Sequence, residues 1–551
     1  MVEQAVVQSE FVSAGAAMPA IPRNGAESNR PDAVAVARAA IHHLNGQPEQ
    51  ALECLLAVGR ESETPDLLTA RGYLQIELKR YEPALETFNR LVTAGPPSSE
   101  NLFQQGLCLQ KLGRIAEALP SFEHAAALRP DWIEIPLARA ICHLSLKQYP
   151  AAIEQADACL RTDPEYAAAL SVKAVALHLT WEPERASALY QQVLKTEPQC
   201  VQTLMNLVTL GLQQKKYDDV RHWASELLAA QGDNALAIEG LAVAAFHSGD
   251  FEKAGKHYTR LTELLPDQAE HWLNLGTVLQ KQSRLEESAQ AYARACRVRP
   301  DSLNAHLYLG SILWKSGDLS GARTAYETAS LRWPDREELT LSLSQVLEGL
   351  HQAANAETVC QRFVQRTPNR AAVWFRLGYL QWKRGAAPEA VASFERALEL
   401  RPEWTEAEID LSLALQATGQ IDRAHALLES ALKRAPNHPG ALRALATLLL
   451  NLPGSESQAL DLHKKLIELG DANEDVYFNC GVLAQALNQS QDAIKYYREA
   501  ISRRKNFAEA LLNLGHVLST LGQTAEAKNY WVPALELKPE FALTYFRRGS
   551  R

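Results

Sequence analysis

Along most of this chain apolar residues recur with the period of one helix face, in segments of about 12–14 residues that come in pairs. The stretch "AEHWLNLGTVLQKQSRLEESAQAYARACRVRPD", Ala269 to Asp301, holds one pair. "SLNAHLYLGSILWKSGDLSGARTAYETASLRWPD", Ser302 to Asp335, holds the next. The pairs keep a 34-residue register: prolines stand at 96, 130, 164 and 198, Gly232 takes the next slot, and prolines resume at 266, 300, 334, 368, 402 and 436. A one-residue insertion near "NLPGSES" shifts the frame, and the slot continues at Asp471, Lys505 and Pro539. The pattern predicts an all-α chain of about 15 helix–turn–helix units.

Residue types fit that register. Ten residues after each slot stands a small residue, as at Gly72, Gly106, Ala140, Ala174, Gly310, Ser344, Gly378, Gly481 and Gly515, with Val208 the exception. Twelve further on comes alanine, as at Ala84, Ala118, Ala322 and Ala390, with Val220 and Ser288 departing. Both are expected to let the paired backbones approach closely. A ring follows four residues later in many units: Phe88, Phe122, Tyr190, Tyr258, Tyr292, Tyr326, Phe394, Tyr497 and Trp531. Between the two segments lies Gly46, Gly113, Gly249, Gly317, Gly385, Gly419, Gly522 or Asn488. These residues tolerate the left-handed conformation that ends a helix. The slot proline either opens the next helix or closes the previous one.

In "VWFRLGYLQWKRGAAPEAVASFERALELRPEW" the telling positions are Trp374, Leu377, Gly378, Ala390, Phe394, Ala397 and Pro402. This pattern resembles the tetratricopeptide repeat, over about residues 32–539; the units starting near Leu204 and Leu236 fit less well. The resemblance implies a right-handed superhelical solenoid whose first helices line a concave groove and whose second helices form the outer wall. It also implies a scaffold that binds other proteins or peptide segments. Residues 1–31, with Pro19, Pro22 and Pro31 and no sustained period, read as a flexible tail. Residues 540–551, "EFALTYFRRGSR", enter a sixteenth first helix. They read either as a partial polar cap, with Arg547, Arg548 and Arg551 toward water, or as the start of a longer chain.

Net charge is −9 over 551 residues, which argues against a general nucleic-acid binder. No apolar run reaches the roughly 18 residues of a membrane span. The opening "MVEQAVVQSE" carries Glu3 before any basic residue, unlike a secretory signal, so a cytoplasmic location is expected. The eight cysteines form no CxxC pair and fall on helical apolar faces as small hydrophobes. "GDFEKAGK", Gly249 to Lys256, departs from a phosphate loop in spacing and puts His257 where a hydroxyl would bind magnesium. His42 and His43 are adjacent and therefore point about 100° apart on a helix, which suits no single metal ion. His271, His306 and His425 are each isolated on a helix face. No catalytic, cofactor or metal constellation stands out, and the expectation is a non-enzyme without cofactors.

Under the resemblance, groove positions lie three residues before the small residue of a first helix and one and four after it. The lysine, arginine and asparagine clamp of chaperone-binding members is absent: its slots hold Phe103 and Leu107, Leu137 and Ile141, Leu273 and Thr277, and Leu307 and Ser311. An asparagine rung two before the small residue is similar to that of O-linked N-acetylglucosamine transferases. It is filled by Asn206, Asn274, Asn479 and Asn513, but elsewhere by residues such as Ala138, Tyr308, Arg376 and Asp410. That partial match sets out the alternative, a substrate-recognition arm of an enzyme whose catalytic domain lies elsewhere. Phe375, Tyr379 and Trp382 share one helix face. Tyr308 and Trp314 lie two units earlier, with Lys315, Arg376 and Lys383 nearby. Two readings stand: rings covering the core, or a partner-binding hot spot in which the cations pair with acidic side chains.

Overall fold

The computed structural model describes residues 31–543 except 60, 62, 97 and 451. Among the described residues there are thirty α-helices, from Pro31–Leu44 to Thr524–Leu537, then a 3-10 turn at Pro539–Phe541, and no strand. They pair in order as fifteen repeats. Repeat 9 is Leu303–Lys315 with Leu319–Arg332, repeat 10 Glu337–Gly349 with Ala353–Arg366, and repeat 11 Ala371–Lys383 with Ala387–Leu400. Repeat 12 is Thr405–Ala417 with Ile421–Arg434, and repeat 13 is Pro439–Leu449 with Glu456–Glu468. The tail expected over 1–31 lies outside the described residues, except that Pro31 already opens the first helix. Of the expected cap, residues 544–551 lie outside them too.

The helices fall into two compact units, residues 1–284 and 285–551, divided between the two helices of repeat 8. Within each unit a helix touches its neighbours in the chain, and first helices also touch the first helix of the next repeat. That leaves the first helices side by side on one face. No described helix is long and apolar enough to cross a membrane.

Each repeat's inner turn takes its shape from one left-handed residue. Gly113, Gly249, Gly317, Gly385 and Gly419 have φ of 76–86° there, and Asn488 has 59°. The same slot imposes this conformation on residues without that freedom: Lys79, Lys147, Trp181, Lys215, Ser283 and His351. Two second helices are then capped by the aspartate just before them. Asp318 accepts from the Gly321 amide at 2.8 Å, and Asp250 from that of Lys253 at 3.1 Å. The slot proline closes the previous repeat: Leu319–Arg332 ends before Pro334, and the next helix starts only at Glu337.

The packing alanines Ala84, Ala118, Ala322, Ala390 and Ala424 are fully buried. The small residue of the first helix makes room for a ring. It faces the ring of the second helix: a Cβ at Gly378 would stand 2.8 Å from Phe394, and one at Gly310 2.4 Å from Tyr326. Repeat 6 reverses the volumes, with buried Val208 in the small slot and buried Ala224 in the ring slot. Close packing sets the sum of the two volumes rather than either residue.

Candidate functional site

Three positions carry the same aromatic stack. Phe103, Phe375 and Phe478 each lie three residues before a small residue. Phe375 packs on Phe394 of its own repeat at 5.6 Å and on Trp404 of the next at 4.6 Å. Phe103 does so with Phe122 and Trp132, and Phe478 with Tyr497 and Phe507. An arginine covers the outer ring each time: Arg129, Arg401 and Arg504. Phe375 is thus engaged in joining repeat 11 to repeat 12.

Its companions lie further out. Tyr379 and Trp382 are half-buried, bordering the buried clusters of repeats 9 to 14 while keeping part of each ring in solvent. Tyr308 is 47% exposed, its ring 5.6 Å from Tyr292. Trp314 is half-buried beside the cluster that includes Leu339 and Leu343, and Lys315 is exposed. The first helices of repeats 9 and 11 therefore each present partly open rings on the shared face.

The cations of repeat 11 are already paired. The Arg376 guanidinium donates to Ser344 Oγ at 3.0 Å and to Glu348 at 2.6 Å, and Lys383 donates to the other oxygen of Glu348 at 2.5 Å. Both cations also stand over the Tyr379 ring, at 5.2 and 5.6 Å. Burial works to raise the Glu348 pKa, but the bonds from Lys383 and Arg376 outweigh it and hold the carboxyl below the usual range. Sequence reading passed over Glu348. The available signal was its slot, four residues after Ser344, which places a carboxylate one repeat before both cations.

Several other sequence candidates have partners within the array. His43 meets Glu77 at 2.8 Å and His42 meets Gln47 at 3.0 Å. In "GDFEKAGK" Gly249 makes the turn, Asp250 caps the helix, Ala254 is buried and Lys256 pairs with Glu252 at 2.8 Å. Asn206, on the asparagine rung, is buried and accepts from Gln202 of its own helix at 3.3 Å. Among the described residues no three His, Cys, Asp or Glu side chains gather as metal ligands.

Family models described as tetratricopeptide repeat match residues 103–167, 220–269, 273–337 and 341–403, then 381–449, then 474–507 and 508–541. Among curated relatives, the tetratricopeptide repeat-containing protein trd-1 of Caenorhabditis elegans is 30% identical, over 30% of this chain and 22% of that protein. Human tetratricopeptide repeat protein 6 is 25% identical over 28% and 29%. The peroxisomal targeting signal receptor of Candida albicans is 25% identical over 32% and 31%. The chain thus spans less than a third of the length of these relatives. Among solved structures, the APC/C hetero-tetramer Cut9–Hcn1 aligns over 92% of this chain and 99% of that one, at 16% identity and a TM-score of 0.34. YrrB, a TPR protein with an unusual peptide-binding site, aligns over 35% and 98%, at 23% identity and 0.29.

Proposed function

Because the chain belongs to the tetratricopeptide repeat family, we propose that it is a protein-interaction scaffold which holds a peptide segment of a partner in the groove lined by the first helices of repeats 9 to 12. The observation that carries this reading is the set of partly open rings, Tyr308, Trp314, Tyr379 and Trp382, along that face. Such rings offer large contact area at small entropy cost, and Trp and Tyr are enriched among the residues that dominate interfaces.

The test must separate binding from stability, since Tyr379 and Trp382 also border the core. Tyr308→Ala removes the most exposed ring, and Trp382→Leu keeps an apolar side chain against the core while removing the indole face. Partners captured by the full chain from its native host are identified by mass spectrometry and their affinities measured. The double variant is expected to bind the same partner about thirtyfold more weakly, the loss of one interface anchor of about 2 kcal/mol. Its melting temperature should stay within a few degrees of the parent. Unchanged affinity would remove these rings from the binding site.

A further inference from the structure

Arg376 and Asp410 hold the same place in successive first helices, 34 residues apart, each two residues before the small residue. Arg376 reaches back to Ser344 and Glu348 of the preceding first helix. The same step back from Asp410 leads to Gly378 and Trp382, and Ile409 beside it borders the same buried cluster as Tyr379 and Trp382. Among the described residues no cation meets the carboxylate there. Arg376 and Lys383 are held by Glu348, Arg384 by Glu357, and Arg443 of repeat 13 by Asp471. Asp410 is half-buried and makes no hydrogen bond or ion pair among the described residues.

From this we infer that the partner segment is basic, and that a lysine or arginine of it lies across Trp382 with its charged head on Asp410. The inference rests on the groove reading and gives it a sign opposite to the one the sequence suggests. Arg376 and Lys383 alone point to an acidic partner, but Glu348 neutralises one of those charges and orients both cations toward itself. Asp410 of repeat 12 then remains a half-buried carboxylate that no cation of the described residues meets. A carboxylate partly removed from water is costly unless paired. By the register that joins Arg376 to Glu348, half-buried Trp382 is the ring one repeat before Asp410, and an indole suits the aliphatic stem and cationic head of a basic side chain. Burial, and next the charge of Glu406, keep the Asp410 carboxyl above the usual range, as expected for a site that lacks its counter-ion.

Random dodecapeptides displayed on phage are selected on the immobilised full chain near neutral pH. Enriched sequences are expected to share a lysine or arginine at one register next to an apolar residue. A synthetic peptide of the enriched sequence should bind Asp410→Asn about tenfold more weakly, the loss of one charge-assisted contact. Asp410→Glu should restore binding. The melting temperature of Asp410→Asn should not fall, because no internal partner is lost. Enriched sequences without a basic residue, or equal affinity for Asp410→Asn, would overturn the inference and leave the groove reading in place. Absence of any enrichment would remove both.

Discussion

His463 stands where Phe394 and Tyr497 stand in other repeats, four residues after a packing alanine, and is 1% exposed, with neither ring nitrogen hydrogen-bonded among the described residues. Burial depresses its pKa to about 4. Below its ordinary pKa of about 6.5 the unfolded chain takes up a proton that the folded chain refuses, so stability falls as pH drops from there toward 4. The full loss is about 3 kcal/mol. His463→Phe, which restores a ring, should flatten that part of the profile. Urea midpoints for both proteins across the window check this; parallel profiles would show that His463 is solvated. The alanines make a second residue-scale case. Ala390→Leu places three extra carbons at a fully buried contact and should cost about 1–3 kcal/mol. An unchanged melting temperature would refute the packing described for repeat 11.

Among the helices and turns, the conformation of a turn follows its place in the repeat rather than its residue. Glycine marks the slot in about half the repeats, and there the turn is legible from sequence. Trp181 carries no such signal, yet it has φ of 63° and is 80% exposed. The helices on either side set the geometry, and the residue accepts a left-handed backbone that costs roughly 1 kcal/mol or more. Trp181→Gly relieves that strain and removes little packing. It should raise stability by about 1 kcal/mol, offset in part by the extra freedom of glycine in the unfolded chain. Thermal melting of the variant measures the sign, and a fall in melting temperature would mean the indole holds more of the fold than its exposure implies.

At the scale of the whole molecule, contacts within each compact unit reach only to the next helix or two. Stability is then close to a sum over repeats and their interfaces. Deleting residues 300–333 joins Arg299 to Pro334, which restores the slot and the register. The shortened protein should remain folded, with helicity by circular dichroism reduced in proportion to its length. Deleting half as many residues would set a first helix against another first helix and should abolish cooperative melting. Equal loss of helicity in the two deletions would refute the register.

The repeat period, the helix pairs, the buried alanines and the glycine turns were determined by the sequence alone. Each depends on residue type at a fixed local spacing, and repetition averages out the exceptions. The tertiary structure decided which charges on the first-helix face are spent. Whether Arg376 and Lys383 meet a partner or Glu348 depends on the offset between stacked helices and on side-chain reach across residues 28 and 35 apart. The structure likewise placed Phe375 between Phe394 and Trp404 and, among the described residues, put no cation on Asp410. Spacing along one helix puts a side chain on a face; only the neighbouring repeat determines what it meets there, because the competing partners differ by a few ångströms of packing that no single-helix pattern encodes.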